Sequence, residues 1–182
     1  MEEDTFEPLK DSEGSTPDSE MNREIEELIE IRNLNFCLEC GRCSAICPMK
    51  DFYGNYVFER SPRGVVERLL FDPENMDDEA LWYCFACQKC TAYCPSLIDF
   101  RSVMMELREI LLRYGFRKYA LFCAQCGRYV LPKPEVENLE RILTGEKWAE
   151  NLSSCPECTT LKCMETIKAA NGGGRFRKKG VA

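Results

Sequence analysis

Two stretches of this chain repeat one spacing of cysteines, Cys37-x-x-Cys40-x-x-Cys43-x-x-x-Cys47-Pro48 and Cys84-x-x-Cys87-x-x-Cys90-x-x-x-Cys94-Pro95. A cubane iron–sulfur cluster takes four thiolates, one per iron. Three cysteines at two-residue intervals let a short turn wrap one cube and bind three irons. The fourth lies too far along, the proline after it turns the chain away, and in this motif it ligates the other cube. The expected pairing is therefore crossed: Cys37, Cys40, Cys43 and Cys94 around one [4Fe–4S] cluster, and Cys84, Cys87, Cys90 and Cys47 around the second. Paired zinc knuckles, the competing metal chemistry, use CxxC pairs without a third and fourth member at this spacing.

Composition supports metal over disulfides. The chain of 182 residues holds thirteen cysteines and no histidine. Its opening, MEEDTFEPLK, has no apolar stretch of the secretory kind, and an odd cysteine count does not suit a disulfide scaffold. In a reducing cytoplasm, the expected location, such a density means metal. The lack of histidine excludes His-ligated haem, Rieske centres, His-bearing zinc sites and the usual imidazole acid–base catalyst. A net charge of -7 argues against nucleic acid, and no apolar run reaches the length of a membrane span.

Hydrophobic periodicity gives a mainly α chain. Residues 1–21, acidic and rich in Ser and Pro, read as a disordered tail. Ile25, Leu28 and Ile29 share one face of a helix expected over 22–35. Ser61-Pro62 starts a second helix as N-cap and first helical residue, with Val65, Val66, Leu69 and Leu70 buried and Asp72-Pro73 as its stop. A short helix near Asp77 carries Leu81 and Trp82 into the second motif. A fourth, over 99–114, buries Phe100, Val103, Met104, Leu107, Ile110 and Leu111 and ends at Gly115. A fifth is expected over 134–144, between Pro134 and Gly145. No strand beyond a short hairpin is expected. Phe36, Phe52, Tyr53, Trp82, Phe85 and Tyr93 stand near the motifs and are expected to keep water from the clusters.

A separate set of cysteines follows: Cys123-x-x-Cys126-Gly127, then Cys155-Pro156-x-Cys158, then Cys163. Two CxxC pairs suit a tetrahedral ion. Zinc is the expected occupant of Cys123, Cys126, Cys155 and Cys158; a mononuclear iron of the rubredoxin kind and a third cluster are the alternatives. Cys163 reads as a buried small residue or a spare ligand. The domain plan is thus a tail at 1–21, a helical dicluster domain at 22–118, a small zinc-ribbon-like or rubredoxin-like module at 119–168, and a flexible basic tail at 169–182.

The SPRG start of the linker helix, the segment LWYCFACQKCTAYCP and the following helix FRSVMMELREILLRYG resemble the C-type iron–sulfur component of heterodisulfide reductase, over about residues 22–118. Related helical ferredoxin domains occur in the iron–sulfur subunits of succinate dehydrogenase and fumarate reductase. The resemblance implies an electron-transfer component of a larger complex in anaerobic, methanogenic metabolism. It would relay electrons from a flavin-bearing partner (the A-type component) to a catalytic partner (the B-type component). That catalytic partner reduces the mixed disulfide of coenzyme M and coenzyme B at a site built from Cys-Cys-Gly motifs. This chain has no adjacent cysteines and no GxGxxG. The carry-over is therefore the eight cluster cysteines, with no catalytic residue. Beyond about residue 120 the chain departs from the family pattern. A free ferredoxin-like carrier, an iron–sulfur component of another anaerobic oxidoreductase and a cluster-bearing non-redox scaffold are the competing readings; a carrier needs neither the flanking helices nor the extra cysteine module.

Overall fold

Helix α1, Pro17–Ile31, and helix α6, Phe100–Arg113, form the antiparallel spine of the computed structural model, which describes residues 17–73, 75–143 and 153–172. Each carries an apolar stripe at helical spacing: Met21, Ile25, Leu28 and Ile29 on α1, and Phe100, Val103, Met104, Leu107 and Leu111 on α6, all buried in one core. Ion pairs lash the two ends. Arg32 Nε donates to Glu106 at 2.9 Å, and Arg113 and Tyr114 both reach Glu24.

Helix α1 starts inside the segment read as tail. The acidic composition averaged over 1–21 hid Met21, which continues the stripe one turn before Ile25 and is buried with it. The helix also stops earlier than expected. Asn33 takes a left-handed conformation at φ 57°, and a 3₁₀ turn, Leu34–Phe36, delivers the chain to Cys37.

Between the spine helices, short helices alternate with the motifs: α2 Arg42–Ala45, α3 Met49–Tyr53, α4 Pro62–Phe71 and α5 Lys89–Ala92. Helices α2 and α5 occupy the same position in the two repeats and pack against each other. The start of α4 matches its sequence signature: Ser61 Oγ accepts the Gly64 N–H at 3.2 Å, with Pro62 as first helical residue. Ser61 is buried, and Ser44 Oγ on α2 donates to it at 3.1 Å, tying the linker helix to the first motif. Gly64 is required by space: a Cβ there would lie 2.1 Å from the Phe58 carbonyl oxygen. The expected short helix near Asp77 is a 3₁₀ turn, Glu79–Trp82, capped by Asp78 through the Ala80 N–H at 2.7 Å, and it buries Leu81 and Trp82.

After α6, Gly115 takes φ 92° and ends the helix as expected. A two-stranded antiparallel hairpin follows, β1 Ala120–Phe122 and β2 Tyr129–Pro132, with an irregularity between Leu121 and Phe122. Strand β2 runs into α7, Lys133–Ile142; the expected stop at Gly145 lies outside the described residues. Helix α8, Pro156–Gly172, starts in the second CxxC pair and runs four residues into the segment read as basic tail. The remainder of that segment lies outside the described residues.

Candidate iron–sulfur and metal sites

The two motifs fold alike at the backbone. The second residue after the first cysteine is left-handed in both, Glu39 at φ 52° and Ala86 at φ 51°. So is the residue after the second cysteine, Gly41 at φ 72° and Gln88 at φ 66°. Three of these four carry a Cβ, and that conformation costs each about 1–2 kcal/mol. Strain repeated at matched positions marks a loop held in place by what it encloses. The curl turns amides inward; Ala86 N–H donates to Cys84 Sγ at 3.3 Å.

Each loop walls a cavity. One is lined by Cys37, Cys40 and Cys43 of the first motif together with Cys94 of the second. The other is lined by Cys84, Cys87 and Cys90 together with Cys47 of the first. Three thiols from one turn and one from the other repeat match the four-thiolate demand of a cubane cluster in both places. Burial pushes the thiols of Cys43, Cys47, Cys84 and Cys90 up, that of Cys90 to about 12.

The surroundings of the cavities differ. Phe52, Tyr53, Tyr83 and Phe85 form one aromatic cluster at the second cavity, with the Tyr53 and Phe85 rings stacked at 5.1 Å and Arg60 over the Tyr83 ring at 3.6 Å. Trp82 is buried behind it. Phe36 and Tyr93, expected to shield the clusters, are instead 68% and 57% exposed. Each sits at the end of a short turn next to a cysteine of the first cavity, where no element among the described residues covers it. The first cavity is walled by an ion pair, Arg63 with Glu39 at 2.9 Å.

The C-terminal thiols converge on a point. The sulfurs of Cys123, Cys126, Cys155 and Cys158 all lie within 4.8 Å of one another, and those of Cys126 and Cys155 are 3.6 Å apart. Four thiolates at ~2.3 Å from one tetrahedral ion stand ~3.8 Å apart, so the set fits a single ion. The hairpin turn supplies the first pair, with Gly127 at φ 71° and the Cys123 N–H bonded to Arg128 O at 2.7 Å. The first turn of α8 supplies the second. Backbone N–H groups of Cys155, Cys126 and Gln125 hold the Cys123 thiol down at about 6, and that of Arg128 lowers Cys126. An ion pair between Arg128 and Glu157 crosses the two knuckles. Cys163, expected to be buried, is exposed on α8 about one and a half turns beyond Cys158.

Sequence reading missed Arg108. It lies on α6 one turn after Met104 and one before Leu111, on the apolar stripe itself, and it is buried with that stripe. A charge interrupting an otherwise apolar face was the available signal.

Comparison with known proteins agrees with this geometry. The 4Fe-4S dicluster domain family matches residues 33–98, and the chain carries that domain. The chain is also similar to the C-type component of the ferredoxin:CoB-CoM heterodisulfide reductase of Methanosarcina acetivorans, 30% identical over 128 residues, covering 65% of this chain and 49% of that protein. It thus spans about half the length of that curated relative. No solved structure matches.

Proposed function

We propose that a chain with an iron–sulfur electron-transfer domain of this kind is the electron-relay component of a heterodisulfide-reductase-like complex, taking electrons from a flavin-bearing partner and passing them to a catalytic partner that reduces a disulfide. The observation behind this reading is the crossed sharing of thiols between the two cavities. Cys37, Cys40, Cys43 and Cys94 would hold one [4Fe–4S] cluster, and Cys84, Cys87, Cys90 and Cys47 the other. Bound there, each cluster supplies a one-electron couple whose potential is set by charge, hydrogen bonds and exposure. The chain does the rest. Helices α2 and α5 hold the two thiol sets side by side, the left-handed loops turn amides toward sulfur, and the aromatic cluster keeps water from the second set. The relative whose name states heterodisulfide reduction supports the choice of complex.

In this reading the dicluster body runs from α1 through α6, and Cys123, Cys126, Cys155 and Cys158 hold a structural zinc that fixes the hairpin to α8. Native anaerobic purification with identification of the co-purifying proteins tests the assignment. A flavoprotein and a protein with Cys-Cys-Gly motifs are expected. Reduced dye should reduce the isolated chain, yet disulfide turnover should require those partners. Steady disulfide reduction by the verified pure chain, or purification without any partner, would overturn it.

A further inference from the structure

Arg108 is only 6% exposed, and among the described residues no carboxylate forms an ion pair with it. Its Nη2 donates to the carbonyl of Cys84 at 2.7 Å and, more weakly, to that of Leu81 at 3.3 Å. Its guanidinium lies 5.7 Å from the Trp82 ring centroid, and its Nε has no partner. Tyr129 of the hairpin closes over Trp82 at 6.1 Å between ring centroids. Glu135 on α7, whose carboxyl burial pushes up and the Arg108 charge pulls down, forms no ion pair with it. A guanidinium taken out of water without a carboxylate is costly unless another negative centre compensates it. Here the thiolate set that begins at Cys84, whose carbonyl Arg108 grips at 2.7 Å, is such a centre.

The two cavities differ in the same sense. The second is lined by Arg60 and Arg101 and by no carboxylate. The first has one guanidinium, Arg63, which is shared between Glu39 at 2.9 Å and Glu67 at 3.9 Å. One electron arriving at a four-thiolate iron–sulfur centre makes it one unit more negative, with no proton taken up. A fixed, unneutralised cation beside it in a poorly screened interior favours that reduced state. Burial alone would oppose it, but the same burial removes the water that would mute the cation.

We propose that Arg108 is a potential-setting residue, and that it makes the centre held by Cys84, Cys87, Cys90 and Cys47 the higher-potential one of the pair. The electron delivered by a low-potential donor then rests on the second-motif side, under the aromatic cluster, and the exposed first-motif side is the lower-potential station. This rests on the two-cluster reading above.

The test is an EPR-monitored redox titration of the full chain, reconstituted anaerobically, with iron and sulfide counted in each sample. Wild type should show two one-electron waves. Arg108→Met should move the upper wave downward by at least tenfold in its reduction equilibrium, 59 mV for one electron, and leave the lower wave in place. Arg108→Lys, which keeps the charge, should restore most of the upper wave's position. Arg60→Gln, at a half-buried and more tolerant position, should move the same wave the same way by less, and it carries the test if Arg108→Met does not load. Movement of the lower wave, equal movement of both, no movement, or an equal shift in Arg108→Lys would overturn the proposal while leaving the relay reading intact. A wild-type chain that binds a single cluster would overturn the relay reading itself.

Discussion

In the dicluster body burial pushes the Cys43, Cys47, Cys84 and Cys90 thiols up, Cys90 to about 12, whereas in the C-terminal module backbone N–H groups hold Cys123 down at about 6 and the neighbouring thiols of Cys155 and Cys126 push Cys158 up to about 12. The body surrounds its thiols with an apolar core reaching from Met21 to Ala120, and leaves cavities beside them. Among the described residues the module has almost no core of its own. Cys123, Cys155 and Cys158 are its buried cluster, with Val130 packed against them. Thiols that are desolvated and spread around a cavity suit a large group that brings its own charge. Thiols gathered within 4.8 Å and cradled by amides suit one small ion that takes the place of protons. The body has packing to fall back on, whereas the module's described core is little more than the four thiols that could hold a metal.

The largest expected effect breaks the body's crossed pairing. Cys94→Ser should remove the first-motif centre and Cys47→Ser the second, each lowering bound iron by about half while the other centre's EPR signal survives. If each substitution instead abolished the signal of its own motif, the pairing would be uncrossed. Next, Cys126→Ser or a chelator should speed amide exchange at Cys123, Ala124 and Gly127, whose N–H groups bond within the module or to Ser153. Both cluster spectra should remain, because the core under them contains no module cysteine; their loss would show that the regions stand or fall together. Gly64→Ala sharpens the contrast from the other side. A methyl 2.1 Å from a backbone oxygen forces the start of α4 away from Phe58, at a cost of about 3 kcal/mol measured by denaturant melts, with the module's metal content unchanged. The smallest effect belongs to Arg128→Gln. Its pair with Glu157 is exposed on both sides, so metal content should stay the same and thermal melting should barely move.

Much of the body was legible in sequence because its signals are local. Ser61 and Pro62 start a helix wherever they are placed before Val65 and Val66, and the paired motifs carry their own spacing. The tail boundary was not, because one apolar residue, Met21, counts for little in an acidic average and decides burial only once Ile25 and α6 are in place. Phe36 and Tyr93 depart from expectation for a related reason, while Phe52, Tyr53, Trp82 and Phe85 pack as expected. Closeness to a cysteine in sequence says nothing about which face is covered, so Phe52 and Phe85 meet across 33 positions while Phe36, next to Cys37, stays in solvent. Helix α8 has weak amphipathic character beyond its first turn, with Leu161, Met164 and Ile167 exposed, and its anchor is the thiol pair at its start. Arg108 was overlooked because an apolar stripe is judged by the residues that fit it.

On the proposed reading the chain holds two kinds of thiolate site, eight cysteines for two cubane clusters and four for one ion. Elemental analysis of the full chain, purified anaerobically with iron, sulfide and zinc supplied together, should then find about eight irons, about eight acid-labile sulfides and about one zinc per chain. About nine irons with a red thiolate-to-iron absorption and no zinc would contradict the assignment of the module, and four irons would contradict the assignment of the body.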